Sequence, residues 1–344
     1  MKKSSKNKNM SLINKVLLSV FFTTLLLNTG CQLSSNIVDK RTRIIIDSDT
    51  NNELDDQHAI AYALFNGDLF DVEGITVNKT QNGGDVEKQA AEAVRVVKLC
   101  DSYSKVGVYK GANGSYRDIV EHINKIDFDG AEAVNFIIKR AKAKNSRKLV
   151  IVPVGKLTNI ALAIKKDSSI IPNIKVLWLG TNYPEDVPEY NFFNDTSAVN
   201  PVLDSKVEFG IAVVGYKSST GTASVLAATK DIRKIMPGKG PHIKKPIVGR
   251  HGGEFSNFGD YSVNLFNNTT DSHRALYDMA AIAIVKNPNW AIPDTIGAPK
   301  FVNSHWIKRP DNNRKIIIWD NFKQKEIMND FYSTMKNYKL FQEK

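Results

Sequence analysis

Between Asp47 and Asp56 five carboxylates fall within ten residues: Asp47, Asp49, Glu53, Asp55 and Asp56, directly after the apolar run Ile44-Ile45-Ile46. Like charges crowded in this way repel one another. A chain tolerates them where a hard cation sits among the oxygens, as Ca2+ and Mg2+ do with carboxylate and carbonyl ligands. The chemistry indicated is therefore metal-assisted. The plain alternative is a solvated acidic turn with one capping aspartate, but capping engages one carboxylate, not three arranged around a turn. Asp55 and Asp56 open the following helix, where the positive dipole end and free N–H groups favour anions. Adjacent side chains there point in different directions, so the spacing expects one on a metal and the other toward a substrate. Asp278, within the apolar-periodic stretch Ser272 to Lys286, is a further carboxylate that wants a cation or a partner if it is buried.

Short runs rich in Val and Ile predict the strands that position these residues: Arg43 to Ile46, Phe70 to Val77, Lys105 to Tyr109, Leu149 to Val154, Ile174 to Leu179, Phe209 to Val214 and Lys315 to Trp319. Helical spacing recurs between them, at Asp56 to Phe65, Val86 to Leu99, Gly130 to Ala143, Thr158 to Lys165, Thr196 to Ser205, Ser272 to Lys286 and Lys323 to Tyr338. Strand and helix alternate. The pattern predicts an α/β fold, a single domain with a mostly parallel central sheet and helices on both faces. In such sheets ligands collect at the carboxyl ends of the strands, where the acidic loop lies. Segment Lys230 to Asn268, rich in glycine, reads as a lid or mobile insertion.

The first thirty residues combine a basic start with the apolar stretch Val16 to Leu27, a secretory signal too short to span a bilayer. Gly30 before Cys31 resembles a bacterial lipoprotein processing site, with Asn28 where an apolar residue is usual. Residues 1–30 are expected to be a signal peptide, Cys31 the lipidated residue, 31–40 a polar tether and 41–344 the catalytic domain of an exported, membrane-anchored protein. A plain secretory leader is the alternative. Lys2, Lys3, Lys6, Lys8 and Lys15 account for five of the formal net charge of +11, leaving +6 for residues 31–344. That excess is scattered, so it reads as a solvated surface rather than a nucleic-acid footprint. Cys100 is the other cysteine; without a CxxC partner it reads as a small buried hydrophobe.

Two families place acids after a first strand in this way. Haloacid dehalogenase-like phosphatases use D-x-D-x-T, but Asn51 stands at the fifth position and that family has no use for Asp55-Asp56. The run Asp47-x-Asp49 leading to Asp55-Asp56 resembles the nucleoside hydrolases, and the resemblance extends from about Arg43 to Met335. Val154-Gly155-Lys156-Leu157-Thr158-Asn159-Ile160-Ala161 is similar to that family's G-P-L-T-N-I-A segment. Trp178-Leu179-Gly180-Thr181-Asn182, followed by Glu189-Tyr190-Asn191, resembles its ribose-binding segment, and Tyr277-Asp278-Met279-Ala280-Ala281 its late helix. Gly74-Ile75-Thr76-Val77 resembles its second strand, with Asn82 near the active-site asparagine.

The resemblance implies a nucleoside hydrolase fold with a Rossmann-like core and a Ca2+ cofactor held by Asp49, Asp56, the Thr158 carbonyl and Asp278. It implies cleavage of the N-glycosidic bond of ribonucleosides, inosine or uridine among them, to free base and ribose. Asp49 is expected to be the general base, and Asp55, Asn82, Asn182, Glu189 and Asn191 to bind the substrate; Asp47 supports the loop. A homo-oligomer is the family expectation. Two departures stand out: two extra residues between Asp49 and Asp55, Glu53 among the expansion, and Tyr277 where members carry a histidine that helps the base leave. Tyr277 itself or His251, in Gly249-Arg250-His251-Gly252-Gly253, is then the candidate acid. The alternatives are a Mg2+-dependent phosphatase with a nucleophile at Asp47, and a lipid-anchored protein that binds nucleosides or sugars without turnover.

Overall fold

Ile44, Ile45 and Ile46 are each fully buried, which a strand achieves only at the centre of a sheet covered on both sides. The computed structural model describes residues 39–216 and 220–341. The expected signal peptide, the lipidation site Cys31 and nearly all of the tether lie outside the described residues. From Arg41 onward the chain forms one compact α/β unit.

Strand β1 (Thr42–Ser48) leads into helix α1 (Asp55–Leu64), and β2 (Phe70–Val77) into α2 (Val86–Leu99). Then come β3 (Val108–Lys110), α3 (Ala131–Ala141), β4 (Leu149–Pro153), α4 (Thr158–Lys166), β5 (Ile174–Leu179), α5 (Tyr190–Asn194) and β6 (Glu208–Ala212). The chain closes with α6 (Phe258–Asn267), α7 (Tyr277–Lys286), β7 (Ile292–Gly297), β8 (Lys315–Asp320) and α8 (Gln324–Lys336). Sheet order is β7-β8-β6-β5-β4-β1-β2-β3. All neighbours are parallel except β7, which runs antiparallel to β8. Strands β2 and β3 build outward on one side of β1, and β4, β5 and β6 on the other. The strand order therefore reverses between β1 and β4, and a crevice opens beyond their carboxyl ends.

Side chains alternate across the sheet with period two. Ile44, Ile46, Leu177 and Leu179 pack under α1, α2, α6, α7 and α8, whereas Ile45, Ile151, Val176 and Trp178 face α3 and α4. In register, Asp47 lies beside Thr76 of β2 and Pro153 of β4.

Three expectations are corrected. The predicted helix from Ser272 begins only at Tyr277, because His273–Ala275 forms a strand with Leu226–Ala228; Asp278 thus sits in a helix first turn, not mid-helix. Segment Lys230 to Asn268 is anchored by packed structure: Ile232, Met236, Phe258, Tyr261, Leu265 and Phe266 are buried core, while His251–Gly253 at the hairpin tip and the stretch Lys244–Pro246 are exposed. Strand β7 was not expected; its first four residues are exposed and include Pro293 and Asp294, which an outer antiparallel strand accommodates.

Candidate active site

Asp47, the last inward-facing residue of β1, is fully buried and bonded on every side. It accepts Thr76 Oγ1 at 2.6 Å, Asn159 Nδ2 at 2.7 Å and Asn78 Nδ2 at 3.1 Å. Burial pushes its pKa up to about 6 against these hydrogen bonds. It ties β1 to β2 and α4. Two residues on, Asp49 accepts Thr80 Oγ1 at 2.5 Å, and its carbonyl accepts Asn52 N–H at 2.8 Å to close the turn. Burial, with Asp47 and Glu189 nearby, pushes the Asp49 carboxyl up to about 7. Gly155 follows β4 at a point where a side chain would crowd the site: a Cβ there would stand 3.0 Å from Asn78 and 3.1 Å from Asp49 Oδ1.

The turn between Asp49 and Asp55 is pinned from outside. Gln89 Oε1 accepts Asn51 N–H at 2.6 Å, Asn51 Nδ2 donates to the Gly83 carbonyl at 2.7 Å, and Gln57 Nε2 donates to the Thr50 carbonyl at 2.9 Å. Beyond it, Asp55 and Asp56 occupy the first turn of α1, and Asp278 the first turn of α7. Carboxylate oxygens of these three residues lie within 4.8 Å of one another. Asp56 also accepts Ser48 Oγ at 2.6 Å. Burial first, then the neighbouring carboxylates, pushes Asp56 and Asp278 well above the ordinary range. Asp55 is pushed up to about 7 by burial and by Glu53, while Arg274 holds it down. Arg274 itself is bonded to Glu53 and Asp271. A buried, oxygen-only set of three carboxylates fits a hard divalent cation.

These residues floor a cavity of about 270 Å³. Asp49, Asn52, Glu53, Asp55, Asp56 and Asp278 line it together with Glu189, Tyr190 and Asn191, and Val154, Leu179, Tyr216 and Tyr277 add apolar and aromatic wall. Glu189 caps α5, accepting the N–H groups of Thr181 at 2.7 Å, Phe192 at 2.9 Å and Asn191 at 3.1 Å. To donate at 2.7 Å, Thr181 holds φ at +62°, which is costly for a β-branched residue. Asn191 Nδ2 donates to the Val154 carbonyl at 2.9 Å and the Leu179 carbonyl at 3.1 Å, leaving its Oδ1 to accept. The groups that line this acidic, partly apolar cavity could hold a cation, accept hydrogen bonds from a polyol and stabilise positive charge on a bound molecule.

Residues 44–327 match the family model described as inosine-uridine preferring nucleoside hydrolase. The chain belongs to that family. Among relatives, an inosine-uridine preferring nucleoside hydrolase from Leishmania major is 24% identical over 169 residues, 48% of this chain and 49% of that protein. One from Crithidia fasciculata is 29% identical over 120 residues, 33% of this chain and 37% of that protein. The chain thus spans about half or less of the length of these relatives. A plant nucleoside hydrolase structure superposes with a TM-score of 0.66 at 16% identity, covering 86% of this chain and 99% of that one; the fold is shared.

In this family member Asp49, Asp55, Asp56, Glu189, Asn191, Asp278 and Tyr277 all line the one cavity. Oxygens of Asp55 and Asp56 both lie in the carboxylate cluster with Asp278. Thr158 opens α4, its hydroxyl donating to Asp195 Oδ2 at 2.5 Å. Asn182 is buried in holding its loop, donating to the Val187 and Pro188 carbonyls at 3.3 Å and accepting Tyr216 N–H at 2.9 Å; it does not line the cavity. Asn82 is exposed and outside the cavity. Asn78, four residues earlier, is the buried asparagine beside Asp47, with an unpartnered Oδ1. Its place directly after β2 was the signal. His251 is exposed on the hairpin tip and does not line the cavity.

Proposed function

We propose that this protein hydrolyses the N-glycosidic bond of ribonucleosides, releasing free base and ribose. The observation that carries the reading is the convergence of Asp55, Asp56 and Asp278 within 4.8 Å on the floor of a cavity that also presents Asp49, Glu189 and Asn191. The cation is Ca2+, held by these three carboxylates and, as the family resemblance implies, by Asp49 and the Thr158 carbonyl. A cation bound there would supply Lewis acidity, lowering the pKa of the attacking water and drawing in the ribose hydroxyls.

The chain's own groups do the rest. Asp49, ionised beside a cation, takes the proton of the attacking water as the C1′–O bond forms and the C1′–N bond breaks. Positive charge builds on the ribose ring in the transition state, and the carboxylate-rich floor stabilises it where it develops. Glu189 and the Asn191 Oδ1 accept from ribose hydroxyls. Tyr277, whose hydroxyl burial pushes up to about 12, keeps its proton and donates a hydrogen bond to the departing base, which leaves as the anion and takes its proton from solvent. A phosphatase reading is disfavoured, since the nucleophile would be Asp47, whose oxygens are already engaged by Thr76, Asn78 and Asn159.

Asp49→Ala should abolish release of ribose from a nucleoside panel while leaving the fold intact, and EDTA should do the same with calcium restoring activity. Activity retained after either treatment would overturn the mechanism. We also propose that the protein is exported and anchored through Cys31. Cys31→Ala should then move it from the membrane fraction to the soluble one, and an unchanged distribution would refute the anchor.

A further inference from the structure

The two-residue expansion of the acidic loop places Glu53 at the rim of the cavity, where its carboxylate binds Arg274. Arg274 lies in the strand His273–Ala275, four residues before Asp278, and its second guanidinium arm donates to Asp271 Oδ2 at 2.9 Å. The guanidinium therefore bridges the acidic loop, through Glu53, to Asp271, which precedes the strand and helix that lead to Asp278. It is close enough to Asp55 to hold that carboxyl down against burial. Yet the acids it pairs with are Glu53 and Asp271, not the cluster.

A guanidinium beside three buried carboxylates competes with any other cation, because fork-to-carboxylate pairing is the geometry arginine favours. Arg250 is the other arginine whose charge reaches Asp55 and Asp56. It belongs to a different hairpin, and its Nε donates to His251 Nε2 at 3.1 Å. Arg274 is the one that Glu53 restrains directly.

We propose that Glu53 is a positioning residue that keeps the Asp55–Asp56–Asp278 site open to a divalent cation by holding Arg274 on its own carboxylate. The proposal rests on the reading of those three aspartates as the cation site. Removing the Glu53 charge leaves Arg274 held by Asp271 alone and free to turn one guanidinium arm toward Asp55, and removing both charges takes this competitor away.

Calorimetric titration of the whole protein with calcium tests this without recourse to activity. Glu53→Gln should bind calcium about tenfold more weakly, equivalent to about 1.4 kcal/mol. Arg274→Gln should bind no more weakly than the wild type, and Glu53→Gln/Arg274→Gln should return to within about twofold of it. A double variant as weak as Glu53→Gln would overturn the proposal, since Glu53 would then act as a ligand or a plain brace. Unchanged affinity in Glu53→Gln would overturn it too. A wild-type protein that binds no calcium would instead refute the cation site, and this proposal with it.

Discussion

Stripped of divalent cations, the protein should lose stability as pH rises above 6.5. Asp49 and Asp55 are pushed from 3.8 to about 7 by burial, and Asp56 and Asp278 are raised well above the ordinary range. With folded pKa values above unfolded ones, the native state keeps protons that the unfolded chain has already released. Stability is then present at low pH and lost as pH climbs through the folded values. One carboxyl displaced by about three units is worth about 4 kcal/mol. His58 works the other way below pH 6.5: burial lowers it to about 4, so its contribution grows between those two values and is constant above them. Above 6.5 the carboxylates alone set the slope, at most about 1.4 kcal/mol per pH unit for each excess proton. One excess proton between pH 6.5 and 8 gives about 2 kcal/mol, or roughly 3 °C in Tm for a domain of this size. Thermal unfolding followed by circular dichroism in chelator should show that fall. Calcium should flatten or reverse it, because the cation binds only the ionised carboxylates. Asp278→Asn should shrink the slope in chelator. A chelated wild-type protein whose Tm is flat or rises over this range would refute the reasoning, as would an Asp278→Asn protein that keeps the full slope.

Three further outcomes are expected. Gly155→Ala places a methyl group 3.1 Å from Asp49 Oδ1 and should lower kcat at least about tenfold with Tm shifted by only a few degrees, measured by ribose release and thermal melts. Tyr277→Phe should lower kcat about tenfold with KM little changed, whereas His251→Ala should leave kcat within about twofold, since His251 lies outside the cavity. His58→Ala removes an imidazole packed edge-on against Phe258 and Phe266 and bonded to the Leu54 carbonyl and Ser262, and should cost about 3 kcal/mol in urea unfolding.

Where the sequence is locally decisive it reads correctly. The predicted β2 and α2 match the observed limits, because each is bounded by its own turn residues and its apolar period is unambiguous. The acidic loop is legible for the same reason: an apolar strand, a turn and an acidic helix start are all local. Long-range pairing is not legible. Nothing in His273-Arg274-Ala275 announces a strand until Leu226–Ala228 lies beside it, and that pairing moves Asp278 from mid-helix to a first turn. The supposed lid carried a usable signal, since Phe258, Tyr261, Leu265 and Phe266 fall at helical spacing, but the surrounding glycines masked it. Asn78 is equally local in position, yet its role depends on Asp47 and Gly155, brought to it from β1 and the end of β4.

The corrected position of Asp278 sharpens what the carboxylate cluster requires. Asp55, Asp56 and Asp278 now all sit in helix first turns, where the dipole favours negative charge. That favour is worth about 0.3–1 kcal/mol per group at a surface and about 2 kcal/mol at best. Burial moves Asp55 alone by about 4 kcal/mol, and Asp56 and Asp278 carry mutual repulsion as well. The helix ends therefore offset a minor part of the penalty, and Arg274, the cation beside Asp55, is bound to Glu53 and Asp271. Protons or a divalent cation must supply the remainder. Protonated carboxyls can neither polarise water nor stabilise a cationic sugar, so a chain that hydrolyses nucleosides through this site does so with the cation in place.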